Sequence, residues 1–232
     1  MGKRLIQQRR GRGTLTYRSP GHRFKGAAKL PTNQGEVVEL VNCPGHSAPL
    51  AYVQGEDKKV DLVIAPQGIK KGDQIKVGSK SEIKTGNVLH LKNIPEGTSV
   101  YNIESQPGDG GKFVRASGTF AKVVAKTASK IIIKLPSRKE KTFHPDCKAA
   151  IGTIAGGGRT EKPFLKAGTM YHKMRARNKL YPSVSGTSMN AVDHPFGGTT
   201  SSHKGKPTVA PKHAPPGRKV GKLRPRRTGK QK

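Results

Sequence analysis

Short apolar runs alternate with polar turns through the middle of the chain. From Glu36 onwards, β-branched and aromatic residues gather in short segments separated by Gly, Pro and polar residues, which is the pattern of antiparallel strands. No segment keeps an apolar repeat of 3.6 residues over several turns, so we expect few helices. The predicted strands are 36–41, 50–54, 60–64, 74–77, 87–91, 99–103, 112–116, 119–126, 130–135, 139–143 and 148–154.

So many short strands exceed what one five-stranded barrel needs and favour two small barrels in tandem. The strand pattern breaks near residues 80–90, around Gly78 and Thr85-Gly86, where we place the boundary between the barrels. The chain is therefore predicted to be mainly β. Its predicted parts are a basic N-terminal arm (1–30), a first barrel (31–85), a second barrel (86–158) and an extended basic C-terminal arm (159–232).

The charge is concentrated in the two predicted arms. The chain has 45 Lys+Arg and 14 Asp+Glu, a formal net charge of +31. Residues 1–30 hold nine basic residues and no acid, and residues 159–232 hold 18 basic residues with only Glu161 and Asp193. The middle has 18 basic and 12 acidic residues and 32 of the 46 Leu, Ile, Val and Phe. Only the middle can build a sizeable core, and the arms require a polyanionic partner.

The arms mix aromatic residues with their positive charges. Gly and Pro interrupt them often enough to exclude long helices, so we expect extended chain. A block of like charge is usually a solvated tail, but aromatic rings stack on unpaired bases. We therefore predict arms that become ordered on nucleic acid. The aromatic residues are Tyr17, Phe24, Phe164, Tyr171, Tyr181 and Phe196.

Several classes of protein are excluded or disfavoured. Aliphatic runs such as 131–133 are only three or four residues long, far short of a membrane span. The basic start has no apolar segment typical of a signal peptide. Two cysteines fit a reducing compartment better than a disulfide framework, so we expect a cytoplasmic protein. The eight histidines are scattered and no nucleophile or phosphate loop accompanies them. An RNA-modifying enzyme is therefore the weakest hypothesis, and we predict no catalytic residue.

One set of residues has the chemistry of a zinc site. Cys43 and His46, and His144 and Cys147, are each separated by two residues, and tetrahedral zinc accepts such ligands. The two pairs are about 100 residues apart and neither is a CxxC motif, which disfavours zinc. The alternative is two turns with buried, free thiols.

The sequence resembles a known family along most of its length. The segments MNAVDHPFGG (189–198) and PPGRKVGKLRPRRTG (215–229) look like the C-terminal signature of the universal large-subunit ribosomal protein two family, numbered eight in eukaryotes. The likeness extends to 6–27, 47–53 and 95–124, and the compact length and Phe196 resemble archaeal-type members. Residues 147–159 and 162–178 also match.

The resemblance implies an oligonucleotide-binding (OB) barrel followed by an SH3-like barrel, with both arms threaded through large-subunit rRNA. It implies a primary rRNA binder that supports subunit association, tRNA binding and the peptidyl-transferase region, with His194 in a positioning role. The partners would be rRNA with its structural Mg²⁺, neighbouring ribosomal proteins and the small subunit across a bridge, without homo-oligomers. Thr187-Ser188, Thr199-Thr200 and the Cys43–His46 turn depart from the family pattern.

The residues expected to bind RNA are mostly basic and lie at both ends of the chain. A non-ribosomal nucleic-acid chaperone or DNA-binding protein is the principal rival, because the charge alone would serve it equally well. The predicted RNA-binding residues are Arg9, Arg10, Arg12, Arg18, His22, Arg23, Lys25, Arg159, Lys173, Arg175, Arg177, Asn190, Asp193, His194, Phe196, Gly197, Gly198, Arg218, Lys219, Lys222, Arg224, Arg226 and Arg227.

Overall fold

The computed structural model describes residues 2–19, 21–78 and 81–222. The chain divides into two compact units. Residues 21–164 form one, which we call the barrel unit because it holds all the named strands. Residues 1–20 and 165–232 together form the other, which we call the arm unit. The predicted mainly β architecture, with two sheets in the middle of the chain, is confirmed.

The first sheet has four antiparallel strands in the order β3-β2-β1-β4. A β-bulge between Val37 and Glu39 shifts the register of the first strand against the second, which bends and twists the strand as a small barrel requires. Alternate side chains such as Val37, Val53 and Ile75 form the core of this sheet. The strands are β1 Gly35–Val41, β2 Leu50–Gly55, β3 Val60–Ile64 and β4 Gln74–Ile75.

The second sheet has six antiparallel strands in the order β5-β10-β6-β7-β8-β9. A second bulge, between Val123 and Ala125, lies where β7 pairs with β8. Leu91, Val100 and Ile133 are among the fully buried residues of its core. The strands are β5 Val88–His90, β6 Ser99–Tyr101, β7 Ala121–Lys126, β8 Ile131–Lys134, β9 Glu140–Phe143 and β10 Lys148–Ile151.

The two sheets share a third cluster of buried residues. Leu50 and Ile64 of the first sheet pack with Val88 and Ala150 of the second. Two bridges also link the sheets: Pro66, after β3, pairs with Ile154, after β10, and Val77, after β4, pairs with Val88 of β5. The barrels therefore form one body rather than two independent modules.

The barrel unit begins at Gly21, ten residues before the boundary predicted from charge. Ala28 and Leu30 are buried in the shared cluster. The Lys29 amide donates to the Leu62 carbonyl at 2.9 Å and the Leu30 amide to that of Gly110 at 2.8 Å. The unit ends at Phe164, six residues beyond the predicted end of the second barrel.

The strand predicted at 112–116 is wrong. Only Phe113 pairs, in an isolated bridge with Ile103. Val114 has φ of 55° and Asn102 has φ of 47°, both in the left-handed region, which a β-branched residue rarely adopts. The Asn102 amide donates to the Val114 carbonyl at 2.8 Å. The alternation of the side chains predicted a strand, but the backbone turns at this residue.

The arm unit has little regular structure. Its helices are α1, Ile6–Gly11, and α2, Ala167–Ala176, with short 3₁₀ turns at Leu15–Tyr17 and Gly186–Ser188. The expectation of few helices is confirmed. Within the described ranges, none of the helices has the length and apolar character that crossing a membrane requires.

Candidate nucleic-acid interface

The arm unit holds most of the excess positive charge. Residues 1–20 and 165–232 contain 22 Lys and Arg and a single acid, Asp193, whereas residues 21–164 contain 23 Lys and Arg and 13 acids. So few carboxylates can neutralise little of this charge within the unit. A chain with this excess needs anions from outside, and a nucleic-acid backbone supplies them at regular spacing.

Exposed arginines surround the short helix α1. Gln8 Oε1 accepts the Leu5 amide hydrogen at 2.9 Å and so caps the first turn. Arg9, Arg10 and Arg12 are exposed in and just after this helix. The Arg10 guanidinium lies 5.4 Å from the centre of the Tyr17 ring, a cation–π contact that orients it without neutralising it. These three arginines present their donors to solvent, as binding to phosphate requires.

The segment 189–198, which we call the signature loop, is folded by hydrogen bonds of its own backbone. The amides of Asp193 and His194 donate to the Asn190 carbonyl at 2.9 and 3.1 Å, and the Gly198 amide donates to the Met189 carbonyl at 3.0 Å. Gly197 lies so close to the carbonyls of Met189 and Asn190 that a β-carbon would overlap them. The loop is therefore a closed turn, and its glycines are required by close approach of the backbone.

His194 lies on this turn with one ring nitrogen engaged. Its Nδ1 accepts the Phe196 amide hydrogen at 3.1 Å, so the neutral ring carries its proton on Nε2. Burial lowers the pKa of His194 below its usual value, which favours this neutral form. The ring can then donate one hydrogen bond from Nε2 to an acceptor such as a phosphate, a base or a 2′-hydroxyl oxygen. Donation of this hydrogen bond requires no catalytic group.

Phe196 is a core residue of the arm unit. Its ring is 6% exposed and packs with Leu5 and Val220, and the Lys204 ammonium lies 5.3 Å from the ring centre. Gly221, with φ of 89°, lies next to the ring and to the Thr208 carbonyl. The ring therefore shapes the signature loop from inside the unit.

The C-terminal end of α2 carries further basic side chains. Arg175 is exposed, and Lys173 and Arg177 are partly buried with contacts of their own. Asn178 follows the helix with φ of 50°, and its amide nitrogen donates to the Leu15 carbonyl at 3.1 Å and to the Arg18 carbonyl at 2.8 Å. Basic residues from both ends of the sequence thus meet in one unit.

The barrel unit brings three loops together at Ser117. The Ser117 amide donates to Ser47 Oγ at 3.1 Å, and Arg159 Nε donates to Ser117 Oγ at 2.9 Å. A β-carbon on Gly118 would overlap the backbone of Gly157, so the two glycines are where loops cross. We call this set of residues the loop cluster. The hydrogen bond to Ser117 Oγ anchors the exposed Arg159 side chain to this cluster.

Two residues near the loop cluster have unusual environments. Arg115 donates to the Ala28 carbonyl at 2.6 Å and to the Gly111 carbonyl at 3.4 Å. It thereby holds the segment that follows the exposed His22, Arg23 and Lys25. Burial, and then the charge of Arg115, lower the pKa of His46, so His46 is neutral near pH 7.

The two cysteines considered for zinc lie in different buried clusters. Cys43 is buried in the cluster shared by the sheets and Cys147 in the core of the second sheet, and both are free thiols. His144 Nδ1 accepts the Asp146 amide hydrogen at 3.2 Å. Across the described residues, no three His, Cys, Asp or Glu side chains are placed to hold a metal ion.

The structure separates the predicted residues into two sets. His22, Arg23, Lys25 and Arg159 belong to the barrel unit, and Arg224, Arg226 and Arg227 lie outside the described residues. The others lie in the arm unit: Arg9, Arg10, Arg12, Arg18, Lys173, Arg175, Arg177, Asn190, Asp193, His194, Phe196, Gly197, Gly198, Arg218, Lys219 and Lys222.

Sequence reasoning missed the residues that hold these surfaces in place. Leu5, Asn178 and Val220 support the arm unit, and Ser47 and Ser117 support the loop cluster. Leu5, between Arg4 and Ile6, and Val220, after Lys219, are apolar residues in basic surroundings, which was the available signal. Ser47 and Ser117 are 70 residues apart in the sequence, so no local pattern could show that they form a hydrogen bond.

Similarity to known proteins shows the family of this chain. The family "Ribosomal Proteins L2, C-terminal domain" matches residues 84–217. The chain is 52% identical to "Large ribosomal subunit protein uL2" of Archaeoglobus fulgidus over 99% of both chains. It is 51% identical to the protein of that name from Methanothermobacter thermautotrophicus, and 49% to that from Methanococcoides burtonii, over 100% of each chain.

These similarities show that the chain belongs to the uL2 family of large-subunit ribosomal proteins, in its archaeal form. The family resemblance inferred from the signature segments is confirmed. Members of the family are structural components of the ribosome, so the prediction that the chain is not an enzyme is confirmed as well.

Proposed function

We propose that this protein is a primary rRNA binder of the large subunit, which works in the cytoplasm and grips rRNA with both units. The observation that carries the proposal is the arm unit, in which 22 basic residues accompany one acid. Such a charge density is favourable only next to a polyanion, and displacement of counterions from RNA supplies much of the binding free energy.

Phosphate contacts are assigned to the exposed basic side chains. Arg9, Arg10 and Arg12 around α1 and Arg175 on α2 neutralise phosphates where rRNA helices approach each other. Arg18, Arg218, Lys219 and Lys222 are exposed in the same unit and act in the same way. In the barrel unit, Arg159 contacts phosphate from the loop cluster, with His22, Arg23 and Lys25 on the neighbouring segment. Structural Mg²⁺ of the rRNA is expected nearby.

Specific contacts are assigned to the signature loop. Asn190 and His194 supply donors and acceptors for base edges and 2′-hydroxyls, and Gly197 and Gly198 let the backbone approach closely. Phe196, buried inside the arm unit, stabilises the fold of the loop. Tyr171, whose side chain is 45% exposed, is available to stack on an unpaired base.

Through these contacts the protein supports subunit association across a bridge to the small subunit, tRNA binding and the peptidyl-transferase region. It acts by positioning RNA, and it functions as one copy beside other ribosomal proteins, not as a homo-oligomer.

Binding to transcripts tests the proposal. Affinities of the full chain should be measured at one salt concentration for large-subunit rRNA, small-subunit rRNA and duplex DNA. We expect preference for one domain of large-subunit rRNA, because shape and base contacts add to the charge term. Equal affinity for all three would favour the non-ribosomal chaperone or DNA-binding function instead.

A further inference from the structure

The N-terminal segment of the arm unit, residues 2–19, contacts the C-terminal part of that unit at three places. The first is the signature loop. The Lys3 amide donates to the Val192 carbonyl at 2.8 Å, and the Lys3 ammonium lies 3.5 Å from Asp193 Oδ1. This ion pair is exposed and contributes little by itself. The backbone hydrogen bond, however, attaches Lys3 directly to the signature loop.

The second contact is the small core of the arm unit. Leu5, Phe196 and Val220 are 7, 6 and 6% exposed and form one cluster. They come from the start of the chain, from the signature loop and from residue 220, which the sequence separates by about 190 and 215 positions. Burial of three apolar side chains is favourable in water without RNA. This core therefore ties the signature loop to both ends of the arm unit.

The third contact is made by polar groups. The Asn178 amide nitrogen bridges the carbonyls of Leu15 and Arg18, and the Asn178 backbone is left-handed, with φ of 50°. Gln8, which caps α1, lies against Gly217, where a β-carbon would stand 3.2 Å from the Gln8 amide group. The positive φ of Gly217, 90°, suits glycine at this close approach.

We propose that residues 2–19 are a positioning element for the signature loop, and that Leu5 and Asn178 are its key positioning residues. The two arms then form one folded RNA-binding unit before RNA is present, instead of two threads that each fold on binding. Part of the ordering cost is met during folding, which makes the loop a preorganised ligand for RNA. The purpose of this preorganisation rests on the proposed rRNA binding, whereas its test uses the protein without RNA.

Hydrogen exchange of the free full-length protein provides the test. Leu5→Asp removes the apolar contact of a buried leucine. Leu15→Asp makes the same chemical change at a leucine that is 78% exposed in the same segment, and it serves as the control. Leu5→Met keeps an apolar chain of similar volume and serves as the rescue. The readout is the exchange rate of the His194, Gly197 and Gly198 amides, with the amides of β2 and β8 as an internal reference.

In the native chain we expect these three loop amides to be protected. Leu5→Asp should raise their exchange rates at least about tenfold, because loss of a buried leucine exceeds the free energy of one decade. The strand amides should not change. Leu15→Asp should exchange like the native chain, and Leu5→Met should restore most of the protection. Loop amides that exchange as in an unfolded peptide without RNA would overturn the inference, as would equal effects of Leu5→Asp and Leu15→Asp.

Asn178 gives a second, independent readout. Asn178→Asp keeps the shape and the tolerance of left-handed backbone but replaces the donating NH₂ by an acceptor. We expect faster exchange of the Tyr17 and Arg18 amides, which close the turn that Asn178 binds. Unchanged exchange would remove Asn178 from the positioning element. These measurements contain no RNA. The positioning role can therefore fail while rRNA binding is observed, and it can hold while rRNA binding fails.

Discussion

Replacement of Arg9, Arg10 and Arg12 by Gln tests the central electrostatic argument. All three side chains are exposed around α1, and the described part of the arm unit has one carboxylate, Asp193, which faces Lys3 instead. The substitution therefore removes three charges without creating a buried unpaired group. Stability of the barrel unit should not change, since none of the three belongs to a buried cluster.

The magnitude follows from counterion release. Each phosphate contact adds about 0.7–0.9 to the slope of log affinity against log salt, so loss of three contacts lowers the slope by about 2–2.7. Between about 50 and 200 mM salt, a fourfold change, the native chain should lose about 15- to 40-fold more affinity than the variant. Filter binding or fluorescence anisotropy with a large-subunit rRNA transcript measures both slopes.

The matched control removes the same charge elsewhere. Lys130, Lys134 and Lys139 are exposed on β8 and its adjoining turns and belong neither to the arm unit nor to the loop cluster. Their replacement by Gln should leave the slope close to that of the native chain. If both triple variants lower the slope equally, binding depends on total charge and the assignment to the arm unit is wrong.

Three further predictions concern stability and chemistry. Leu50→Ala, at a fully buried position where the two sheets meet, should cost about 2–5 kcal/mol in urea unfolding, and a loss below about 0.5 kcal/mol would contradict the shared core. His194 has a lowered pKa in the fold, so the unfolded chain binds the proton more tightly; its contribution to stability should be constant above the unfolded pKa near 6.5 and fall as pH drops below it. NMR titration should place the His194 pKa below 6.5, and a value above it would refute the assignment. Cys43 and Cys147 are both 0% exposed, so they should react with a thiol reagent only after unfolding, and elemental analysis should find sub-stoichiometric zinc; one zinc per chain would revive the Cys43/His46/His144/Cys147 site.

Much of the barrel unit could be predicted from local pattern. The strands at 36–41, 60–64 and 139–143 agree with the structure to within a residue, because their alternation reports which side chains face a core. The strand at 112–116 could not be excluded in this way. The residues around Val114 have a composition typical of a strand. Its left-handed backbone goes with a hydrogen bond from the Asn102 amide, a contact that local sequence does not show.

The arm unit was less predictable, because its fold depends on few and distant contacts. Charge identified Arg9 and Arg175 as candidates, but charge does not say that the two ends of the chain meet. The sequence predicts Phe196 as an RNA-binding aromatic residue, but its burial against Leu5 depends on residues about 190 positions apart. A single apolar residue among basic ones has no periodicity, so sequence pattern has no means to pair it with another.

Sedimentation of the native protein tests the account most directly. Cell extract from the source organism is separated on a density gradient, and large subunits are then washed with moderate salt and separated again. The account predicts that the protein travels with the large subunit in both gradients, because it assigns phosphate contacts to both units and specific contacts to the signature loop. Recovery among free proteins, or in equal amounts with both subunits and with DNA, would contradict it.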